Sequence, residues 1–260
     1  MSAVDARGLS VGPGTLTGVS QVTRVQGPRA AASSGERLVV AIDGPSGSGK
    51  SSTARGVADR LGLAFLDTGA MYRAATWLAV HEGLDLSDTD AVAELVRDAV
   101  FDIALDPARP TIAVNGHDVT QAIRRPEVSA AVSAVATNLD VRKDLVARQQ
   151  QLIADAPAGV VAEGRDITTV VAPDAQVRVL LVADPAARVA RRQAELGSAV
   201  DAAAVTDQVI RRDADDSTVA RFHDAAPGVT VVDSTHLDLT QVIEAICALA
   251  PGQAGAEPRP

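Results

Sequence analysis

The chain has 260 residues, 47% of them apolar, with a formal net charge of −9 and a single cysteine. That length allows one sizeable core with an inserted subdomain, while the apolar runs are too short for a membrane span. The acidic balance excludes a general nucleic-acid surface, and the lone Cys247 excludes an internal disulfide.

Residues 1–36 are rich in Gly, Ser, Ala and Thr without a helical or strand period, so a disordered extension is expected there. No charged segment followed by a long apolar one precedes the core, which points to a cytoplasmic protein. Five apolar runs then follow, at 38–42, 63–66, 159–162, 177–183 and 229–232. Mostly apolar, they predict strands buried on both faces. Helical patterns fall at 50–61, 69–80, 139–153, 185–196, 204–222 and 239–249, with Asp184-Pro185 as a start signal. This alternation predicts an α/β fold with a five-stranded parallel sheet flanked by helices.

The block 84–136 breaks the rhythm with a helix near 88–99, two short strand-like runs at 101–105 and 111–114, and a hairpin signal at Asn115-Gly116. It reads as a small antiparallel insert between two parts of the core, 37–83 and 137–250. Residues 251–260 read as a disordered tail. Cys247 and the aromatics Tyr72 and Trp77 are expected in the core, and His81, His117, His223 and His236 lack metal-ligand spacing.

The first of these strands runs into Gly44-Pro45-Ser46-Gly47-Ser48-Gly49-Lys50-Ser51, a match to G-x-x-x-x-G-K-[ST] in its required context. Such a loop turns backbone N–H groups around phosphate oxygens, with a helix N-terminus behind them. Lys50 reaches the β and γ phosphates and Ser51 takes Mg²⁺. Only Lys50 and Lys143 among 24 cationic residues are lysines. A compact ammonium suits a phosphate enclosed in backbone better than a planar guanidinium fork does.

Further motifs stand after the second and third strands. Asp67-Thr68-Gly69-Ala70-Met71-Tyr72-Arg73 begins a helix, with Thr68 suited to cap it and Arg73 aimed across a cleft. Glu163-Gly164-Arg165-Asp166 lies at the carboxyl edge of the sheet, where open α/β proteins bind ligands. Arg165 suits a phosphate, and Asp166 suits either an exocyclic amine or a neighbouring arginine.

Taken with Arg212-Asp213, Asp216-Ser217 and Asp233-Ser234-Thr235, these words resemble the bacterial cytidylate kinase family, the (d)CMP kinases, across residues 38–249. The resemblance implies a P-loop kinase moving the γ-phosphoryl of ATP to CMP or dCMP with Mg²⁺, the insert binding the monophosphate and a helical lid at about 185–222. Gly44 to Ser52 would hold ATP, Arg73 and Arg165 the CMP phosphate, and Thr68, Arg142 and Asp166 the cytosine. Ser133, Arg212 and Asp216 would hold the sugar. Arg188, Arg191, Arg192 and Arg212 would lie in the lid, with Lys50, Arg165, Arg188, Arg192 and Arg212 stabilising the transferring group. It also implies a monomer acting on small molecules, with no nucleic acid or membrane partner.

One position departs from the pattern. Where the family often carries an arginine against the base, this chain has Val219, with Arg221 two residues later. Arg221 then substitutes from the next turn, or Arg142 carries the base alone. The rival readings are a P-loop kinase of another metabolite such as UMP, shikimate or gluconate, and a GTPase switch, but no [NT]-K-x-D word for guanine is present.

Overall fold

In the computed structural model, residues 23–26, 37–196, 211, 213–220, 222 and 224–251 are described. The core sheet has the order β3(Ala64–Asp67), β7(Gly159–Gly164), β2(Leu38–Asp43), β8(Val177–Val182), β9(Thr230–Asp233), all neighbours parallel. All five strands stand where the apolar runs predicted them.

Their residues alternate between two cores. Val39 and Ala41 of β2 face one cluster with Leu66, Met71, Leu78 and Leu145, while Val40 and Ile42 face the other with Ala54, Val57, Val179 and Ile246. A two-residue period that is apolar on both sides is what a helix-covered parallel sheet requires. Helices α1(Lys50–Leu61) and α7(Leu239–Cys247) supply residues to the second cluster. Helices α2(Thr68–His81) and α5(Leu139–Asp155) supply them to the first. Cys247 is buried, as expected of a small hydrophobe. Helix α6(Pro185–Leu196) starts at the predicted proline.

The insert holds α3(Thr89–Asp98), β4(Phe101–Ala104), β5(Thr111–Val114) and β6(His117–Asp118), with β4, β5 and β6 antiparallel. Asn115 at φ 48° and Gly116 at φ 80° form the tight turn between β5 and β6, the conformation Asn-Gly favours. Two features escaped the sequence reading. Helix α4(Pro126–Ala136) begins with proline in its first turn, but its Val- and Ala-rich sequence has no polar stripe to show a period. Strand β1(Thr23–Gln26) pairs parallel with β4, so the insert sheet is mixed and these four residues are not irregular. Without β1 the outer edge of β4 would be unpaired, and such an edge accepts an extended segment whatever its composition. The rest of 1–36, the tail beyond 251, and Arg212 and Arg221 lie outside the described residues. Of the helix predicted at 204–222, residues 211 and 213–217 are described and helical. Among the described residues no helix is long and apolar enough to cross a membrane.

Arg148 of α5 fastens the insert to the core. Its buried guanidinium reaches Asp144 at 2.7 Å and the carbonyls of Ala99, Arg97 and Val96 at 2.9, 2.8 and 3.3 Å, over the Phe101 ring. These carbonyls close α3, so one buried side chain satisfies acceptors at its end. Arg148→Ala is expected to lose about 3–5 kcal/mol, because it removes a buried charged donor shared by these carbonyls and Asp144. Urea unfolding with an unchanged m-value checks it.

Candidate active site

The carboxyl ends of β2, β3 and β7 open into one cleft of about 780 Å³. It sits beside β2, whose chain leaves for β3 on one side while β8 lies on the other, the crossover point at which α/β sheets take ligands.

The loop from Gly44 to Gly49 curls over the end of β2. Gly44 has φ 153° and a Cβ there would stand 2.1 Å from the Leu181 carbonyl oxygen. Gly47 has φ 75°, and its Cβ would stand 2.6 Å from the carbonyl oxygen of Arg188. Any side chain at either position strains the backbone and collides with backbone on β8 or α6. Ser46, Gly47, Gly49, Lys50, Ser51 and Ser52 line the cleft. Lys50 Nζ donates to the Pro45 carbonyl at 2.8 Å, which folds it back over its own loop.

Ser51 Oγ donates to Glu163 Oε1 at 2.6 Å. Glu163 was quoted in a motif but given no role by the sequence reading. Its carboxyl is pushed above the usual range by burial and then by the charge of Asp67, with Lys50 and Ser51 opposing. A carboxylate at the end of a strand beside a phosphate loop was the available signal.

Asp67, not Thr68, caps α2: its side chain accepts from the Ala70 N–H at 2.8 Å. Thr68 Oγ1 instead donates to the Glu163 carbonyl at 2.8 Å, holding the end of β3 to that of β7. Asp67 also accepts from Arg73 at 3.1 Å, one turn further along the helix. Thr68, Arg73, Arg142, Arg165, Asp166, Arg192 and Asp216 all line the cleft. Ser133 is half-buried on α4 outside the lining, whereas Ser129, one turn earlier on the same helix, lies within it.

Arg142 donates to Asp166, so of the two partners foreseen for Asp166 the arginine is present here. Burial raises the Asp166 carboxyl above its ordinary value even against that neighbouring charge. Tyr72 completes this end, with Arg142 over its ring at 5.7 Å and its hydroxyl pushed up to about 12 by burial. Tyr72 therefore lines the cleft as well as belonging to the core. The backbone of this segment is fixed from below: Asp43 accepts from the N–H groups of Ile167 and Thr168, each at 2.8 Å, and from the Thr168 hydroxyl at 2.6 Å. These bonds anchor one π-helical turn at Ile167–Val171, directly after Arg165 and Asp166.

Arg165 spans the centre. It donates to the Gly44 carbonyl and, through Nε, to Asp216 at 2.8 Å, and it lies over the Phe222 ring at 4.8 Å. On the lid side, Arg188 pairs with Asp213 and donates to the Ser46 carbonyl at 3.0 Å. Arg191 reaches Ser234 Oγ at 2.8 Å and the Ser48 carbonyl at 3.3 Å, which gives Asp233-Ser234-Thr235 its place behind the loop. Among the described residues no three His, Cys, Asp or Glu side chains form a metal cluster.

Comparison with known proteins agrees with this geometry. The family model described as cytidylate kinase matches residues 40–251. A cytidylate kinase of Cutibacterium acnes is 59% identical over 216 residues, covering 82% of this chain and 96% of that one. Cytidylate kinases of Streptomyces griseus and Streptomyces coelicolor are 44% and 47% identical, covering 83% and 84% of this chain and 94% and 95% of theirs. With the phosphate loop and the Arg142–Asp166 pair lining one cleft, the chain belongs to the cytidylate kinase family.

Proposed function

We propose that the protein transfers the γ-phosphoryl of ATP to CMP or dCMP, acting as a monomer in the cytoplasm. One observation carries this reading: a single cleft is lined by Lys50 and Ser51 of the loop together with Arg73, Arg142, Arg165 and Asp166. Two anionic substrates bound there bring their phosphates together.

ATP sits on the loop from Gly44 to Ser52, with its phosphates on backbone N–H groups and Lys50. Arg73 and Arg165 take the acceptor phosphate, each offering the fork that suits phosphate oxygens. Thr68, Asp166 and Arg142 read the cytosine, Asp166 facing its amine and Arg142 its ring acceptors. Asp216 and Arg212 face the sugar, together with Ser133 from the helix that places Ser129 in the cleft. The acceptor phosphate is already a nucleophile, so no side chain needs to remove a proton. Lys50, Arg165 and the lid arginines Arg188, Arg192 and Arg212 concentrate positive charge where the equatorial oxygens pass, and they exclude water when the lid closes.

Ser51 and Glu163 fit Mg²⁺. Their hydrogen bond puts a hydroxyl and a carboxylate together beside the phosphate loop, with the Asp67 carboxylate close enough to act on Glu163. When bound, Mg²⁺ neutralises the β and γ oxygens. A raised carboxyl pKa in the fold means that the ionised form costs stability, and the cost grows as pH rises above the unfolded value. Glu163→Gln is therefore expected to be at least as heat-stable as the parent at pH 7.5 without Mg²⁺. It should also need roughly tenfold more Mg²⁺ for half-maximal rate. Scanning calorimetry and a Mg²⁺ titration of the rate check the two halves.

The test of the whole reading is ADP release from ATP and Mg²⁺ with CMP, dCMP, UMP, AMP, GMP or shikimate as acceptor. Strong signals with CMP and dCMP and a weak one with UMP are expected. With Val219 in place of an arginine, the same assay on Arg221→Ala shows which residue supports the base. A changed CMP-to-UMP ratio assigns that role to Arg221, and an unchanged ratio leaves it with Arg142.

A further inference from the structure

The geometry points to Asp213 as a positioning residue for phosphoryl transfer: its carboxylate fixes the Arg188 guanidinium against the mouth of the phosphate loop. Asp213 is only 6% exposed and does not line the cleft, so it acts through other groups. Oδ1 accepts from the Ser46 N–H at 2.8 Å and stands 3.6 Å from Arg165 Nη2. Oδ2 accepts from Arg188, whose Nη1 donates in turn to the Ser46 carbonyl at 3.0 Å. Three elements thus close a ring: the phosphate loop, α6, and the short helical segment 213–217.

This ring is more than a surface ion pair. Both side chains are nearly covered, 12% of Arg188 and 8% of Asp213 remaining exposed, so water screens the attraction little. The Arg188 backbone is pinned as well, since its carbonyl lies where a Cβ on Gly47 would fall. With the main chain held on Gly47 and the guanidinium held on Asp213 and Ser46, the long side chain has lost its rotamer freedom before the reaction begins. Among the described residues the buried Arg188 Nε has no hydrogen-bond partner, and Asp213 is the charged group that the guanidinium meets.

The inference rests on the reading of Arg188 as a lid residue acting on the transferring group, and the variants separate the two. Asp213→Asn keeps an acceptor oxygen for the Ser46 N–H but cancels the charge that holds Arg188. It is expected to lower kcat on the order of 10- to 100-fold, as a misplaced charge does, while KM for CMP stays within about threefold. Arg188→Ala by itself tests the reading of Arg188: unaltered kcat sinks that reading. In the Arg188→Ala background, Asp213→Asn should cost less than about twofold more, because the residue it positions is already gone. Parental kcat in Asp213→Asn overturns the proposal, and so do fully additive penalties in the double variant. A merely structural role would instead lower the melting temperature and move kcat and KM together, which would overturn it too.

Discussion

Lys50→Ala is expected to lower kcat/KM by about a thousandfold or more, with the fold intact. Lys50 is the first residue of α1, and its ammonium folds back over the Pro45 carbonyl at the mouth of the loop. In the proposed reading, ATP brings its β and γ oxygens to this point. No other lysine exists to substitute, since Lys143 lies on α5. Preorganised charge against a transferring phosphoryl contributes the largest share of catalysis in this reaction class, so its loss falls on the chemical step. The side chain is partly exposed, and its truncation leaves the two cores untouched. Steady-state kinetics with ATP and CMP, alongside a melting curve, check both statements. Near-parental turnover would remove the phosphate loop from the mechanism.

Arg165→Ala is expected to have the second-largest effect, a loss of about 100- to 1000-fold in kcat/KM for CMP. Arg165 lines the cleft, fixed by Asp216, the Gly44 carbonyl and the Phe222 ring at once. Unlike Lys50, it is also structural: removing it leaves Asp216, which is 7% exposed, without that guanidinium. A drop in melting temperature should accompany the loss of rate. Arg165→Lys should not restore either one, because an ammonium cannot serve Asp216 and Gly44 while lying flat on Phe222. Kinetics at a temperature where both variants remain folded separate the two contributions. A lysine variant with most of the parental rate would show that charge alone suffices.

The sequence displayed the loop and the sheet because both are local. Glycines at 44, 47 and 49 with Lys50 and Ser51 write the phosphate site in eight consecutive residues, and apolar runs of four to seven residues write the strands. Arg73, Arg165 and Asp166 were legible for a related reason: each follows a strand, and strand ends in a parallel sheet converge on one edge. Helix α4 was not legible, since a helix apolar around most of its surface shows no period.

Pairings between distant residues were beyond reach as well. The cap of α2 is a case in point: Asp67 and Thr68 are both good capping residues, and Thr68 is turned to another task by a carbonyl 95 positions away. Asp213 carries no local signature, because an acidic residue in a helix looks the same whether it faces water or a guanidinium, and the strand-end position of Glu163 does not name its partner. The sequence by itself determined that this chain binds a polyphosphate on a parallel sheet and has the arginines to hold a second anion. Only the tertiary structure decided which carboxylates hold those arginines, and that Ser51 meets Glu163 across 112 residues. Loop geometry and strand burial follow from neighbours in the chain, whereas the placing of charges follows from which elements the hydrophobic cores bring side by side.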